Sequence, residues 1–178
     1  MALCINVAKG RVYFMKALLA PDNPIWPTRP KALGLTMRIQ LLFLGKTRRP
    51  EIRALVEDYA ARIRRYAEIE VRELRLESAA SRKGLEIDGA TVVLLDAAGK
   101  KFNSEQFAEW IKSCRDRGQR KLVFLCGAAE GFPETLAGRA SLRISLSPLT
   151  FSHELARVML AEQIYRAFTL ISGHPYAK

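Results

Sequence analysis

Cysteine and histidine are scarce in this chain. Its 178 residues hold three cysteines, Cys4, Cys114 and Cys126, and two histidines, His153 and His174. No cysteines stand in C-x-x-C spacing, and so few ligands leave no zinc-site pattern, so no metal is expected. The odd, sparse count suits a reducing compartment without structural disulfides, here read as the cytoplasm. Cys126, inside the apolar run "KLVFLC", reads as a small buried hydrophobe. Long apolar runs are missing as well. Stretches such as "TVVLLDAA" fall far short of the ~20 residues that span a bilayer, which argues against a membrane protein. There are no internal repeats, and neither G-x-G-x-x-G nor G-x-x-x-x-G-K-[ST] occurs, so the usual dinucleotide and phosphate loops are excluded.

What is present is globular and basic. Hydrophobic residues make up 49% of the chain and charged residues 26%, enough to bury the core of one ordinary domain. The net charge of +11 points to a polyanionic partner, nucleic acid before acidic membrane, with a merely solvated basic surface as the competing reading. Residues 1–36 differ from the rest. "APDNPIWPTRPKALG" holds four prolines and cannot be regular helix or central strand. The preceding "VYFMKALLA" is interrupted by Lys16 and lacks the layout of a cleaved signal peptide. Residues 1–36 are therefore expected to be a disordered extension or an over-long gene start, and 37–178 the functional domain. That domain keeps 24 basic against 17 acidic residues, so the basic character is its own.

From Met37 the pattern alternates. "RIQLLFLG" reads as a buried strand. "PEIRALVEDYAARIRRYA" starts at Pro50 and places Ile52, Leu55, Tyr59, Ile63 and Tyr66 at helical spacing. "IEVRELRL" is strand-like, with its alternation slipping at Glu73. "SAASRKGLEIDG" is a polar loop, and "TVVLLD" a continuous apolar strand. "NSEQFAEWIKSCRDRG" has Asn103 or Ser104 as N-cap and Gly118 as its stop. "KLVFLC" and "LRISLS" follow as strands, then "HELARVMLAEQIYRAFTLIS" as a long final helix. This order predicts an α/β fold with a mainly parallel sheet. Ligands of such sheets sit at the carboxyl ends of the strands. The loops "DAAGK" (Asp96–Lys100), "CGAAEG" (Cys126–Gly131) and "SPLTFS" (Ser147–Ser152) should therefore share one edge.

Gly127 and Gly131 allow close approach of a flat ligand, such as an adenine read by backbone groups, though a plain turn is equally compatible. Thr150 or Ser152 can be a helix cap. On the final helix His153 and Arg157 lie four apart and share a face, beside the loop edge. Arg157 there can hold phosphate or serve a structural ion pair. Glu162 and Arg166 read as an i,i+4 pair. So many apolar residues on this helix mean deep burial or a second subunit. Tyr176 and Lys178 in the tail can reach a nucleic-acid base or backbone.

In this order, "LLFLGK", "LLDAAGK", "FLCGAAEGF", "SLSPLTFSHELARVMLAEQIYRAF" and "GHPY" closely resemble the RlmH family of SPOUT methyltransferases, from Met37 to Lys178. The resemblance implies a parallel α/β sheet with a C-terminal trefoil knot, a homodimer, and S-adenosylmethionine as cofactor. It implies methylation of N3 of a pseudouridine in large-subunit (23S) ribosomal RNA, on the assembled ribosome. Carried over, the cofactor-binding positions are Leu95, Gly127, Leu146, Ser147, Pro148, Leu149, Thr150 and Phe151. His153, Arg157, Tyr176 and Lys178 are the substrate-binding candidates, and His153 and Arg157 also the catalytic ones. Arg48, Arg49, Arg62, Arg64, Arg65, Arg82 and Lys83 are candidates for an RNA-facing surface. Three departures stand out: Ala128 replaces a usual glycine, Ala177 a usual histidine, and Glu77–Thr91 is short by about a helix. They are the support for one alternative, a non-catalytic RNA-binding or ribosome-associated protein of the same fold; a SPOUT methyltransferase with another RNA target is the second alternative.

Overall fold

The computed structural model describes residues 7–8, 11–12, 37–75, 87–127 and 131–177. Within the N-terminal segment, β1 (Val7–Ala8) and β2 (Arg11–Val12) pair antiparallel. The other expectations for residues 1–36, most of the Glu77–Thr91 stretch with Arg82 and Lys83, Ala128, and Lys178 lie outside the described residues.

The strands β3 (Arg38–Leu44), β4 (Glu68–Leu74), β5 (Thr91–Lys101), β6 (Lys121–Cys126) and β7 (Leu142–Ser145) form one sheet in the order β4-β3-β6-β5-β7. Every pairing in it is parallel. The apolar runs are continuous because both faces are covered. Ile39, Leu41 and Phe43 face one way, with Phe124 and Cys126 opposite Leu41 and Phe43 in register, into the larger core cluster. Leu42, Leu44, Val123, Leu125, Val92 and Leu94 face the other way into a second cluster.

The larger cluster is closed by three helices. In α1 (Pro50–Ile63) the buried stripe is Ile52, Val56, Ala60 and Ile63. Leu55, assigned to that stripe by spacing, is instead 46% exposed, because the i,i+4 row starting at Ile52 is the one that meets the core. α2 (Ser104–Asp116) opens with a reciprocal capping box between Asn103 and Gln106 and closes before Gly118, at φ +77°, as its sequence signals required. A single turn, α3 (Glu134–Ala137), puts Leu136 into the second cluster. α4 (His153–Ile171) lies between α1 and α2, and Pro175–Ala177 form a closing 3-10 turn. Ser152 caps α4 by accepting from Leu155 N–H at 3.4 Å.

One assignment is corrected. "DAAGK" is not a plain loop after a strand, since β5 runs on to Lys101 through a shift of register between Leu95 and Lys100 against β7. Gly99 makes the detour feasible. A Cβ built there would lie 2.7 Å from backbone atoms of Arg143 and Ile144, so only glycine lets the bulge return against β7.

Candidate functional site

Five parallel strands place their carboxyl ends along one edge, and the three loops do meet there. They enclose an open cavity of about 410 Å³, within the roughly 300–1,000 Å³ of small-molecule sites. β5 supplies Leu95 and the bulge residues Asp96 and Ala97. β6 supplies Cys126 and Gly127. The loop between β7 and α4 supplies Leu146, Ser147, Leu149, Thr150 and Phe151. α4 contributes His153 and Ala156 from its first turn. Of the eight positions named for the cofactor, all but Pro148 line this cavity.

The walls are braced by their own polar groups. Ser145 Oγ donates to Ser147 O at 2.9 Å, and Leu149 N–H donates to Ser147 Oγ at 3.0 Å. A Cβ on Gly127 would sit 3.3 Å from the Phe132 ring, so the bare backbone and the aromatic ring close on each other at one end. Cys126 is 2% exposed, as expected of a buried hydrophobe. Burial pushes its thiol up to about 11 despite the Arg157 charge nearby, and it is a wall rather than a nucleophile.

Asp96, placed at this edge by the sequence only as the first residue of "DAAGK", is a site residue the sequence did not single out. Its carboxylate accepts from Ala98 N–H at 2.9 Å and lies 3.3 Å from Arg143 Nη1. Among the described residues it is the one acidic side chain lining the cavity. The aspartate after an apolar strand was visible, but without the bulge nothing turned it toward the site.

His153 is where the sequence put it, at the start of α4 and at the cavity wall. Arg157 is not beside it at the surface. It is fully buried, with Nη1 donating to Thr47 Oγ1 at 2.7 Å and Nη2 to Leu44 O at 2.8 Å and Gly45 O at 3.1 Å. Its guanidinium also lies over the Phe43 ring, 5.0 Å from the centroid. The group suited to phosphate is directed instead at the loop after β3. That loop is held from two other sides. Glu154 accepts Arg48 N–H at 2.5 Å and Glu73 accepts Thr47 N–H at 2.8 Å. Arg48 N–H, with lesser help from Arg49 N–H and neighbouring charges, holds Glu154 below the ordinary carboxylate value. At Glu73 desolvation works the other way but is outweighed by Thr47 and the charges of Arg53 and Arg157, so its value is also lowered. The slip of alternation at Glu73 thus has a cause.

Tyr176 folds back onto α4. Its ring meets Tyr165 edge-on at 4.6 Å between centroids and lies under Arg166 at 5.2 Å. Burial first, then Tyr59 and Glu162, raises its phenol well above the ordinary value. Glu162 and Arg166 form the expected i,i+4 pair at 2.8 Å. No helix among the described residues is long and apolar enough to cross a membrane.

Residues 37–177 match the family model described as "Predicted SPOUT methyltransferase". The chain is 42% identical over 151 residues to ribosomal RNA large subunit methyltransferase H of Geobacter sp. (strain M21), covering 79% of this chain and 98% of that one. It is 45% identical over 144 residues to the protein of the same name from Solibacter usitatus (strain Ellin6076), covering 80% and 100%. Among solved structures it is similar to a probable methylase family protein from Haemophilus influenzae Rd KW20, with 10% identity, TM-score 0.49, and 81% and 71% of the two chains covered. With the matched region spanning the whole sheet and its cavity, the chain belongs to the SPOUT methyltransferases, within the RlmH family, whose cofactor is S-adenosylmethionine.

Proposed function

We propose that this protein transfers a methyl group from S-adenosylmethionine to N3 of a pseudouridine in large-subunit ribosomal RNA, as a cytoplasmic homodimer acting on the assembled ribosome. The trefoil knot, and residues 37–178 as the functional unit, belong to the same proposal. The observation that carries it is the cavity: seven of the eight residues assigned to the cofactor by resemblance converge on one space at the carboxyl edge. The relatives named as large-subunit RNA methyltransferases supply the substrate class.

The donor set fits the cofactor. The Phe132 ring beside the backbone of Gly127 suits a flat heterocycle, the serines and backbone of the β7–α4 loop suit its polar edges, and the Asp96 carboxylate suits a cationic ligand. When bound, the cofactor provides an electrophilic methyl group. The protein contributes position, which dominates in-line transfer. Leu95 and Phe151, both partly buried in the cavity wall, exclude water and fix the ligand's depth. Asp96 is itself fixed by Arg143 and the Ala98 amide, so it meets the ligand preorganised. The proton on N3 must leave, and the His153 imidazole at the cavity wall is the group assigned to orient the base and accept it. Arg157 serves by holding the loop after β3, not by touching RNA.

The test is methyl transfer from labelled S-adenosylmethionine to ribosomes from cells lacking the homologous enzyme, followed by mass spectrometry of the large-subunit RNA. A new methyl on pseudouridine N3 is expected. A methyl elsewhere would redirect the substrate, and cofactor binding without any transfer would make the protein an RNA binder. Asp96→Asn should weaken S-adenosylmethionine binding about 10-fold, the loss of roughly one charge-assisted contact, as read by calorimetric titration.

A further inference from the structure

Several cations on the helices have carboxylate partners: Arg62 with Asp58 at 2.8 Å, Lys112 with Glu109 at 3.4 Å, Arg166 with Glu162 at 2.8 Å. At the carboxyl ends of β3 and β4 this reverses. Lys46, Arg48, Arg49 and Arg75 are all exposed, and none has an ion-pair partner among the described residues. Two acids close by are bonded to the loop backbone, buried Glu154 to the amide of Arg48 and exposed Glu73 to the amide of Thr47. Neither forms an ion pair with Lys46, Arg48, Arg49 or Arg75.

The loop backbone itself is fixed. Arg157 grips it at Leu44, Gly45 and Thr47, and Arg53 Nη2 donates to Thr47 O at 3.0 Å. Two of these holding groups, Glu154 and Arg157, sit within the first five residues of α4, the stretch that lines the cavity with His153 and Ala156. β3 is one strand from β6 and two from β5, at ~4.8 Å per step. The cationic loop therefore starts beside the cavity and is tied to its wall.

We propose that Lys46, Arg48, Arg49 and Arg75 form a phosphate-binding strip that lays the RNA strand alongside the cofactor cavity, with Glu154 and Arg157 as its positioning residues. Its partner is the phosphate backbone, because exposed, unpaired cations on a fixed loop offer charge and register without base readout. The assignment rests on the ribosomal RNA reading above.

Large-subunit binding by Lys46→Gln/Arg48→Gln/Arg49→Gln is compared with Lys112→Gln/Arg115→Gln/Arg117→Gln on α2, which removes the same charge, across a salt series and with S-adenosylmethionine titrated separately. The strip variant should bind at least 10-fold more weakly and lower the salt slope by roughly 2–3, while its cofactor affinity stays within about twofold. Equal losses in both variants, or a wild-type slope in the strip variant, would overturn the strip. Glu154→Ala should raise KM for large subunits several-fold with cofactor affinity unchanged, and Glu154→Gln, which keeps an acceptor for the Arg48 amide, should restore it. Parallel loss of cofactor binding in Glu154→Ala would refute the positioning role. A wild-type protein that takes up cofactor but no large subunit removes the reading beneath the strip, and the strip with it.

Discussion

At the scale of single residues, Arg157 shows how a correct face can hide a different role. Its spacing from His153 was legible, because residues four apart share a helix face. Its neighbours were not, since helical periodicity carries no information about the loop that packs there. Replacing it by alanine would leave the Leu44 and Gly45 carbonyls and the Thr47 hydroxyl without their donor. Arg157→Ala is expected to cost about 3 kcal/mol, the penalty of leaving buried acceptors unsatisfied, lowering the thermal midpoint by about 6–12 °C. Lysine should rescue little of this, since one ammonium cannot reproduce the fork. Differential scanning calorimetry of the two variants decides it. A midpoint unchanged in Arg157→Ala would mean that water satisfies the loop. Asp96 is the converse case: the residue was plain in the sequence, but its place on the cavity wall depends on the β5 bulge.

At the scale of elements, caps and stops were the most legible features. Asn103, Gly118, Pro50 and Ser152 all act locally, through chemistry confined to one turn. The bulge was not legible, because the reason for Gly99 lies on another strand, in the backbone of Arg143 and Ile144. Gly99→Ala must move that backbone or abandon the bulge, at a cost of about 1–3 kcal/mol. It should also blunt cofactor binding, because Asp96 and Ala97 ride on the same detour. The loop after β3 has its own signature in pH. Glu154 and Glu73 have folded-state values lowered from 4.5. Their contribution is complete above that value and is lost as pH falls through the lowered ones. Unfolding midpoints followed below about pH 4.5 should therefore fall less steeply in Glu154→Gln than in the parent.

At the scale of the whole molecule, the alternation of strand and helix is enough to give a parallel α/β sheet, and strand polarity alone assigns the three loops to one edge. Strand order was beyond the sequence, since parallel strands are joined through crossovers whose length leaves the neighbour open. The proposed homodimer finds support in two apolar side chains near the cavity mouth, Leu149 at 71% and Leu155 at 48% exposure. Leu149→Ser/Leu155→Ser should shift sedimentation toward the monomer. An unchanged dimer would place the subunit contact elsewhere.

The Arg157 clasp also sets a timetable. It joins residues 110 or more positions apart, Thr47 and Leu44 to the last helix. A chain made from its N-terminus completes β3 and the following loop early. It must then keep their carbonyls hydrated until α4 has been added. The cavity follows the same schedule, because its walls come from β5, β6, β7 and α4. A nascent chain therefore cannot bind cofactor in halves. Closure waits for contacts between distant parts of the chain, the kind of contact that makes folding slow.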